Sequence, residues 1–453
     1  MTDFKELRIE GRVATPGDPD WDEVRPGWQL TADLNPSAIA FVESAEDVVE
    51  TVRFAAANGL RIAGQSTGHG AAPLAPLDDT ILIRTTGMRG VEVDPDARTA
   101  RVEAGVLSVE LGEAANAHGL SFLPGSSPDV GVIGYTLGGG LSWLGRKYGF
   151  ACNHVRAIEL VTPDGEPRAV DAETEPDLFW ATRGGGGGYA IVTALQVDLV
   201  PVAEVYGGAL IFPAEVGADA VRAYRDWAAE VSDDVTSVVR FITPPPFPDV
   251  PEPLRGTPLL TIDGACAGTR EEGEEAFAPL REIGETIMDT FDWMPAAGLS
   301  HIHMDPENPV PGVGDGALLG ELSDEAIDAW VGMVGPGSES PLLLSELRQL
   351  GGALARPAEN GGALSKIDAP FAVYSVGIRM SPEIGEVLHG YLEKLGETMR
   401  PWGADGGYYN FTESPCDVDA ILPAEVCDRL RDVKRKWDPE SRIVANHLVS
   451  LEA

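Results

Sequence analysis

The sequence predicts an α+β protein of two domains, on three observations. From about residue 37 to 200, short apolar runs alternate with helical patterns, the mark of mixed helix and sheet. Past about 204 the texture changes, with Pro-rich stretches such as Thr243–Pro248 and Pro251–Pro253 set between strand and helix patterns. Its 453 residues also exceed the length at which a single hydrophobic core stops growing. With 43% apolar, 7% aromatic and 23% charged residues, the chain has the material for ordinary packed cores.

Taken in order, Ala38–Val42 reads as a strand and Ser44–Asn58 as a helix, capped by the Ser44 hydroxyl and stopped at Asn58-Gly59. A short strand, Arg61–Ala63, runs into the loop Gly64–Gly70. Strands follow at Thr80–Arg84, Thr99–Glu103, Val155–Thr162 and Ala190–Leu199, with Asp164-Gly165 as a hairpin turn. In the second half, strands at Leu259–Ile262, Leu342–Leu347 and Ala372–Gly377 and helices at Ala218–Glu230 and Glu383–Met399 predict an antiparallel sheet with helices on one face. Tyr408–Val449 carries a last loop, helix and strand.

A net charge of −39 repels polyanions, which argues against nucleic acid or an anionic membrane surface as partner. The N-terminal residues lack the apolar run of a signal peptide, so a soluble cytoplasmic protein is expected. Cys152, Cys266, Cys416 and Cys427 show neither metal-ligand spacing nor a disulfide framework, and are expected to be reduced thiols.

Three glycine-rich loops fall between residues 64 and 188: Gly64–Gly70, Gly131–Gly140 and Arg183–Gly188. Glycine lets successive N–H groups turn toward an anion such as a pyrophosphate. There is no Walker lysine and no Gly-x-Gly-x-x-Gly opening a helix after a first strand. A phosphate-bearing ligand held mainly by backbone amides remains.

Strand Arg61–Ala63 with Gly64-Gln-Ser-Thr-Gly-His-Gly70, then Pro124–Gly140, Arg146-Lys-Tyr-Gly-Phe-Ala-Cys152 and Leu178–Gly188, resembles the FAD-linked oxidases of the vanillyl-alcohol-oxidase and p-cresol-methylhydroxylase type. The berberine-bridge-enzyme-like branch is the nearest match. The resemblance implies a two-domain FAD-binding fold of the PCMH type, with an FAD-binding domain at 1–203, a substrate-binding domain at 204–404 built on the antiparallel sheet, and a segment 405–453 returning to the FAD domain. It implies FAD bonded through its 8α-methyl to His69 and through C6 to Cys152. Asn153 and His154 depart from the family's usual Asp-Asn at those places.

The same resemblance assigns cofactor contacts to Arg61, Gly64, Gln65, Ser66, Thr67, Gly68, Gly70, Ser127, Val130, Gly131, Val132, Gly134, Tyr135, Gly138, Gly139, Gly140, Asn153, Ile191, Val192 and Asn446. Gly406-Gly-Tyr-Tyr-Asn-Phe411 resembles a segment that sets a tyrosine over the flavin. Were it a strand, Tyr408 and Tyr409 would face opposite ways, and Tyr408 is taken as the base. If Ser345–Ala353 is a strand, Glu346 and Arg348 share a face; they and Tyr374 are candidates to line a substrate pocket, while a salt-bridged sheet face is the plainer reading. His301 and His303 would present two imidazoles on one side of a strand without a third metal ligand, so no metal site is expected. The implied reaction is oxidation of a small molecule at a carbon bearing a hydroxyl, or an amine, with O2 as acceptor. A small or β-branched residue near Val132 accompanies oxygen access in this family. Oxidative ring closure, a dehydrogenase and a non-catalytic flavin binder are the alternatives.

Overall fold

The computed structural model describes residues 2–74, 76–246, 250 and 252–451, so part of the Pro-rich stretches lies outside the described residues. Three sheets organise the chain.

The first sheet has the order Arg12–Ala14, Ala38–Phe41, Thr80–Arg84, Arg61–Gln65, Ile443–Val444. Three of its four pairings run parallel, the Arg12–Ala14 edge being antiparallel, and Thr80–Arg84 is buried throughout, as a parallel strand covered on both sides must be. The helix Ala45–Asn58 packs on this sheet. Ser44 accepts from the Asp47 N–H, and Gly59 closes the end at φ +68. Both signals are local, which is why the sequence predicts this helix so closely. The strand Arg61–Gln65 runs two residues further than expected, taking in Gly64 and Gln65.

The second sheet, Val91–Asp94, Thr99–Glu103, Ile191–Asp198, Val155–Val161 and Pro167–Asp171 in that order, is antiparallel. The third has eight antiparallel strands, with Glu204–Pro213, Leu259–Cys266, Val235–Ile242, Leu344–Gln349, Phe371–Ile378 and Gly312–Leu319 adjacent in that order. Helices Gly217–Glu230, Asp324–Val334 and Pro382–Met399 cover one face of it. Val239, Ile262, Leu347 and Val373 point into that apolar layer with fully buried Trp330 and Tyr224.

The other face carries Arg240, Thr261, Asp263, Glu346, Arg348 and Tyr374. They share a face because they are paired across neighbouring strands: Arg240 opposite Thr261 and Glu346, Val238 opposite Asp263 and Arg348, Glu346 opposite Tyr374. Between residues from this face and the first half of the chain lies a small apolar layer of Val238, Leu123, Trp143 and Leu144.

The chain end joins the first sheet, with Ile443 opposite Ile62 and Val444 opposite Ala63 in parallel register. Lys434, on helix Ala424–Trp437, holds this end. Its ammonium donates to Asp438 Oδ2 at 2.6 Å, to the Gly188 carbonyl at 2.6 Å and to the Ile443 carbonyl at 3.3 Å. Burial pulls its pKa down.

Two local expectations are corrected. His301 ends a 3-10 turn, Ala296–His301, and His303 lies beyond it, so the pair is not on a strand. The alternation of His-Ile-His imitates a half-buried strand, but no partner strand is beside it. Tyr408 is extended and Tyr409–Phe411 form a 3-10 turn closed by Phe411 N–H to Tyr408 O. The strand argument for choosing between the tyrosines therefore fails, and both are buried.

Candidate active site

The loop after strand Arg61–Gln65 meets the loop 124–131. A Cβ on Gly131 would stand 2.8 Å from Ser66 Oγ, so only glycine permits this approach. Among the described residues, the backbone N–H groups of Ser66, Thr67, Gly68, His69 and Gly70 donate to no other protein group. Buried polar atoms crowd the same place without partners: Gln65 Oε1 and Nε2, Ser66 Oγ, Trp28 Nε1, His69 Nε2 and Asp129 Oδ1. Buried groups left so are costly unless a ligand completes them.

The His69 ring stacks on Trp28 with centroids 4.1 Å apart and planes 18° apart. Thr67 Oγ1 lies 2.8 Å from Nδ1, and Asp129 Oδ1 lies 3.4 Å from Nε2. Trp28 is fixed here because its backbone N–H donates to the Thr67 carbonyl.

Arg84 ends the neighbouring strand, opposite Gln65. It is buried, its Nε has no partner, and its Nη2 meets only the Arg25 and Pro26 carbonyls, at 3.4 and 3.3 Å. Burial pulls its guanidinium down to about 10. A buried cation without a carboxylate, beside free amides, suits a ligand phosphate. Orphaned donors, the glycine cradle and Arg84 together fit FAD.

The other predicted contacts divide. Gly64 approaches Ile191, and a Cβ on Gly70 would meet Asn446 Nδ2 at 2.7 Å; Asn446 donates to the Gly70 carbonyl. Val130 and Val132 flank Gly131, with Val132 opening helix Val132–Leu137 and Gly134 inside it. Val192 is buried in its strand. Tyr135 donates to the Leu123 carbonyl at 3.0 Å, and Ser127 donates to Asp305 Oδ2 at 2.7 Å. Gly138 and Gly140 stand beside Asn410 and Tyr135. Arg61 is at the far end of its strand from the cradle, paired with Asp79 at 2.9 Å. Asn153 is spent on a segment from the second half, donating to the Leu364 carbonyl at 3.1 Å and accepting from Gly362 N–H at 2.9 Å.

Cys152 is the expected second attachment point. It is fully buried, its Sγ contacts the Leu364 carbonyl at 3.5 Å, and burial pushes its thiol up to about 12.

Tyr408 lies against the triple glycine. Gly139 has φ +119, and a Cβ there would stand 2.6 Å from Leu364 Cδ2 and 3.1 Å from Tyr408 Cε2. The Tyr408 hydroxyl accepts from Leu141 N–H at 2.8 Å and from Asn410 Nδ2 at 3.2 Å. Burial pushes its pKa above the usual phenol value, while the two donors and the Arg348 charge pull the other way.

Around Tyr408 the polar face of the third sheet closes in. Arg348 donates to Glu346 at 3.0 Å and to His303 Nε2 at 2.8 Å, and its guanidinium lies 5.4 Å from the Phe411 ring. His303 Nδ1–H donates to Asp263 at 2.7 Å, and Arg240 pairs with the same carboxylate at 2.8 Å. Tyr374 donates to Glu413. Thus Glu346 and Arg348 form a salt bridge on the sheet face, with Tyr374 opposite Glu346 on the neighbouring strand. Trp28, Arg84, Asp129, Arg240, Asp263 and Glu413 escape sequence reasoning because the residue each one meets lies far along the chain.

Burial drives both members of the His303–Asp263 pair toward neutrality: the imidazole is held below its usual value and the carboxyl above it. An unfolded histidine takes up a proton below about pH 6.5 that the folded one refuses, so His303 costs stability as pH falls through that value. Asp263 acts oppositely, since its folded form binds a proton before the unfolded one does. The melting-temperature advantage of wild type over His303→Gln should therefore shrink from pH 7 to pH 5; an unchanged gap would contradict this protonation.

Comparison with known proteins agrees with this geometry. A family described as an FAD binding domain matches residues 36–171. The chain is 28% identical over 98% of both lengths to (R)-6-hydroxynicotine oxidase of Paenarthrobacter nicotinovorans. Its fold matches the BBE-like 1 protein of Physcomitrella patens with TM-score 0.85 at 18% identity, covering 100% of both chains. It also matches a glucooligosaccharide oxidase of Acremonium strictum with a 6-S-cysteinyl, 8α-N1-histidyl FAD, with TM-score 0.81 at 20% identity over 98% of this chain and 97% of that one. The chain is an FAD-dependent oxidoreductase, with an FAD binding domain over residues 36–171 and the fold of the BBE-like and 6-hydroxynicotine oxidase structures.

Proposed function

We propose that the enzyme oxidises a small molecule at a CH–OH carbon, a sugar, alcohol or secondary metabolite, and passes the electrons to O2 to give hydrogen peroxide. Residues 1–203 and 405–453 form the FAD-binding part in this reading, and 204–404 the substrate part. Bound FAD supplies the hydride acceptor and, once reduced, the electrons that dioxygen takes. We propose covalent bonds to it at His69 and at Cys152. The half-buried imidazole supports the first bond, and the glucooligosaccharide oxidase with its 6-S-cysteinyl, 8α-N1-histidyl FAD supports the second.

The observation that carries the reading is the Tyr408 hydroxyl, which accepts from Leu141 and Asn410 where the glycine loops meet the charged sheet face. Both donors favour phenolate, so Tyr408 can take the substrate hydroxyl proton as hydride departs. Glu346, Arg348 and Tyr374 orient the substrate from the opposite side. Because burial raises the Tyr408 pKa, kcat/KM should climb toward alkaline pH, the base being needed deprotonated. The relative named (R)-6-hydroxynicotine oxidase supports dioxygen as acceptor.

An anaerobic mix with a panel of sugars and alcohols tests the reading. It expects at least one to bleach the flavin, and air to restore the colour with stoichiometric peroxide. Bleaching that air reverses only slowly would make the enzyme a dehydrogenase.

A further inference from the structure

We propose that Asp129 drives the attachment of the flavin to His69; the inference rests on His69 being the tether. The two atoms concerned, His69 Nε2 and Asp129 Oδ1, are both buried without a hydrogen bond and stand 3.4 Å apart. A carboxylate only accepts, so the imidazole hydrogen belongs on Nε2, the nitrogen beside Asp129. Nδ1 then carries the lone pair, and the Thr67 hydroxyl, 2.8 Å away, donates to it. Trp28 stacks on the ring and holds its plane.

This is the arrangement by which a carboxylate fixes the tautomer of a histidine and stabilises the imidazolium that forms as the ring reacts. Nδ1 forms the new C–N bond to the 8α-carbon. The methyl group loses one proton, and the electron pair of its broken C–H bond enters the isoalloxazine. Attack leaves His69 positive, and Asp129 takes its Nε2 proton. Dioxygen then removes the two electrons and two protons as hydrogen peroxide, leaving the oxidised, tethered cofactor. Asp129 is a positioning and proton-accepting residue here, and substrate oxidation does not involve it.

The test follows flavin through acid precipitation of the purified protein, with Cys152→Ala present throughout so that only the His69 bond is read. Precipitated protein with Asp129 intact should keep its flavin in the pellet. Asp129→Asn should bind FAD yet release it to the supernatant, with covalent incorporation slowed at least about 10-fold, and Asp129→Glu should restore part of the rate. Incorporation in Asp129→Asn at the rate seen with Asp129 intact would overturn the proposal, as would a folded variant that binds no FAD at all. If the melting curve shows Asp129→Asn misfolded, Asp129→Ser carries the same comparison. His69→Ala separates the two claims: pellet-bound flavin in that variant would remove the tether itself, whatever Asp129 does.

Discussion

Tyr408→Phe lowers the rate of flavin reduction by substrate about 10²–10⁴-fold, the range for loss of a positioned general base. The ring stays, so its packing on Phe411 at 5.0 Å and beside Gly139 is kept. Only the oxygen goes, and with it the acceptor for Leu141 N–H, at a cost of about 1–3 kcal/mol in stability. That cost is measurable apart from the rate by urea unfolding. Tyr409→Phe is the control: its carbonyl rather than its hydroxyl contacts His447, and it should retain most activity. Equal losses in the two variants would take the base role away from Tyr408.

Lys434→Met unfolds the protein more easily by about 3–5 kcal/mol, the cost of leaving one partner of a buried ion pair uncompensated. The side chains of Lys434 and Asp438 are 5% and 1% exposed. Removing the ammonium strands Asp438 together with the Gly188 and Ile443 carbonyls. Asp438 also accepts from Arg442 N–H and Ile443 N–H, so the damage reaches the strand beside Ile62. From there it reaches the His69 loop, and flavin content should fall with stability. Urea midpoints of the two proteins check this, and a shift within about 0.5 kcal/mol, as for an ordinary surface change, would contradict it.

The parts of the molecule legible in the sequence are those set by neighbours in the chain. Helix Ala45–Asn58 carries its own cap and stop, and the strand at Thr80–Arg84 is a plain apolar run. The glycine loops announce an anion site through local backbone freedom, and the motif order brings His69 and Tyr408 forward together. What the sequence conceals is set by distant partners. Arg84 looks like any strand-end arginine until the fold buries it without a carboxylate. Asp129 is one of 72 acidic residues until it faces His69. His303 imitates a strand position, although its place is fixed by Asp263 and Arg348. Cys152 sits in a matching motif, yet Leu364, more than two hundred residues away, decides its environment.

The central claim, FAD bonded to His69, is tested most directly by denaturing and proteolysing the purified protein and weighing its peptides. The account predicts flavin on the peptide containing His69, joined through its second bond to the peptide containing Cys152. Flavin freed on denaturation, or carried only by a peptide lacking His69, would contradict it.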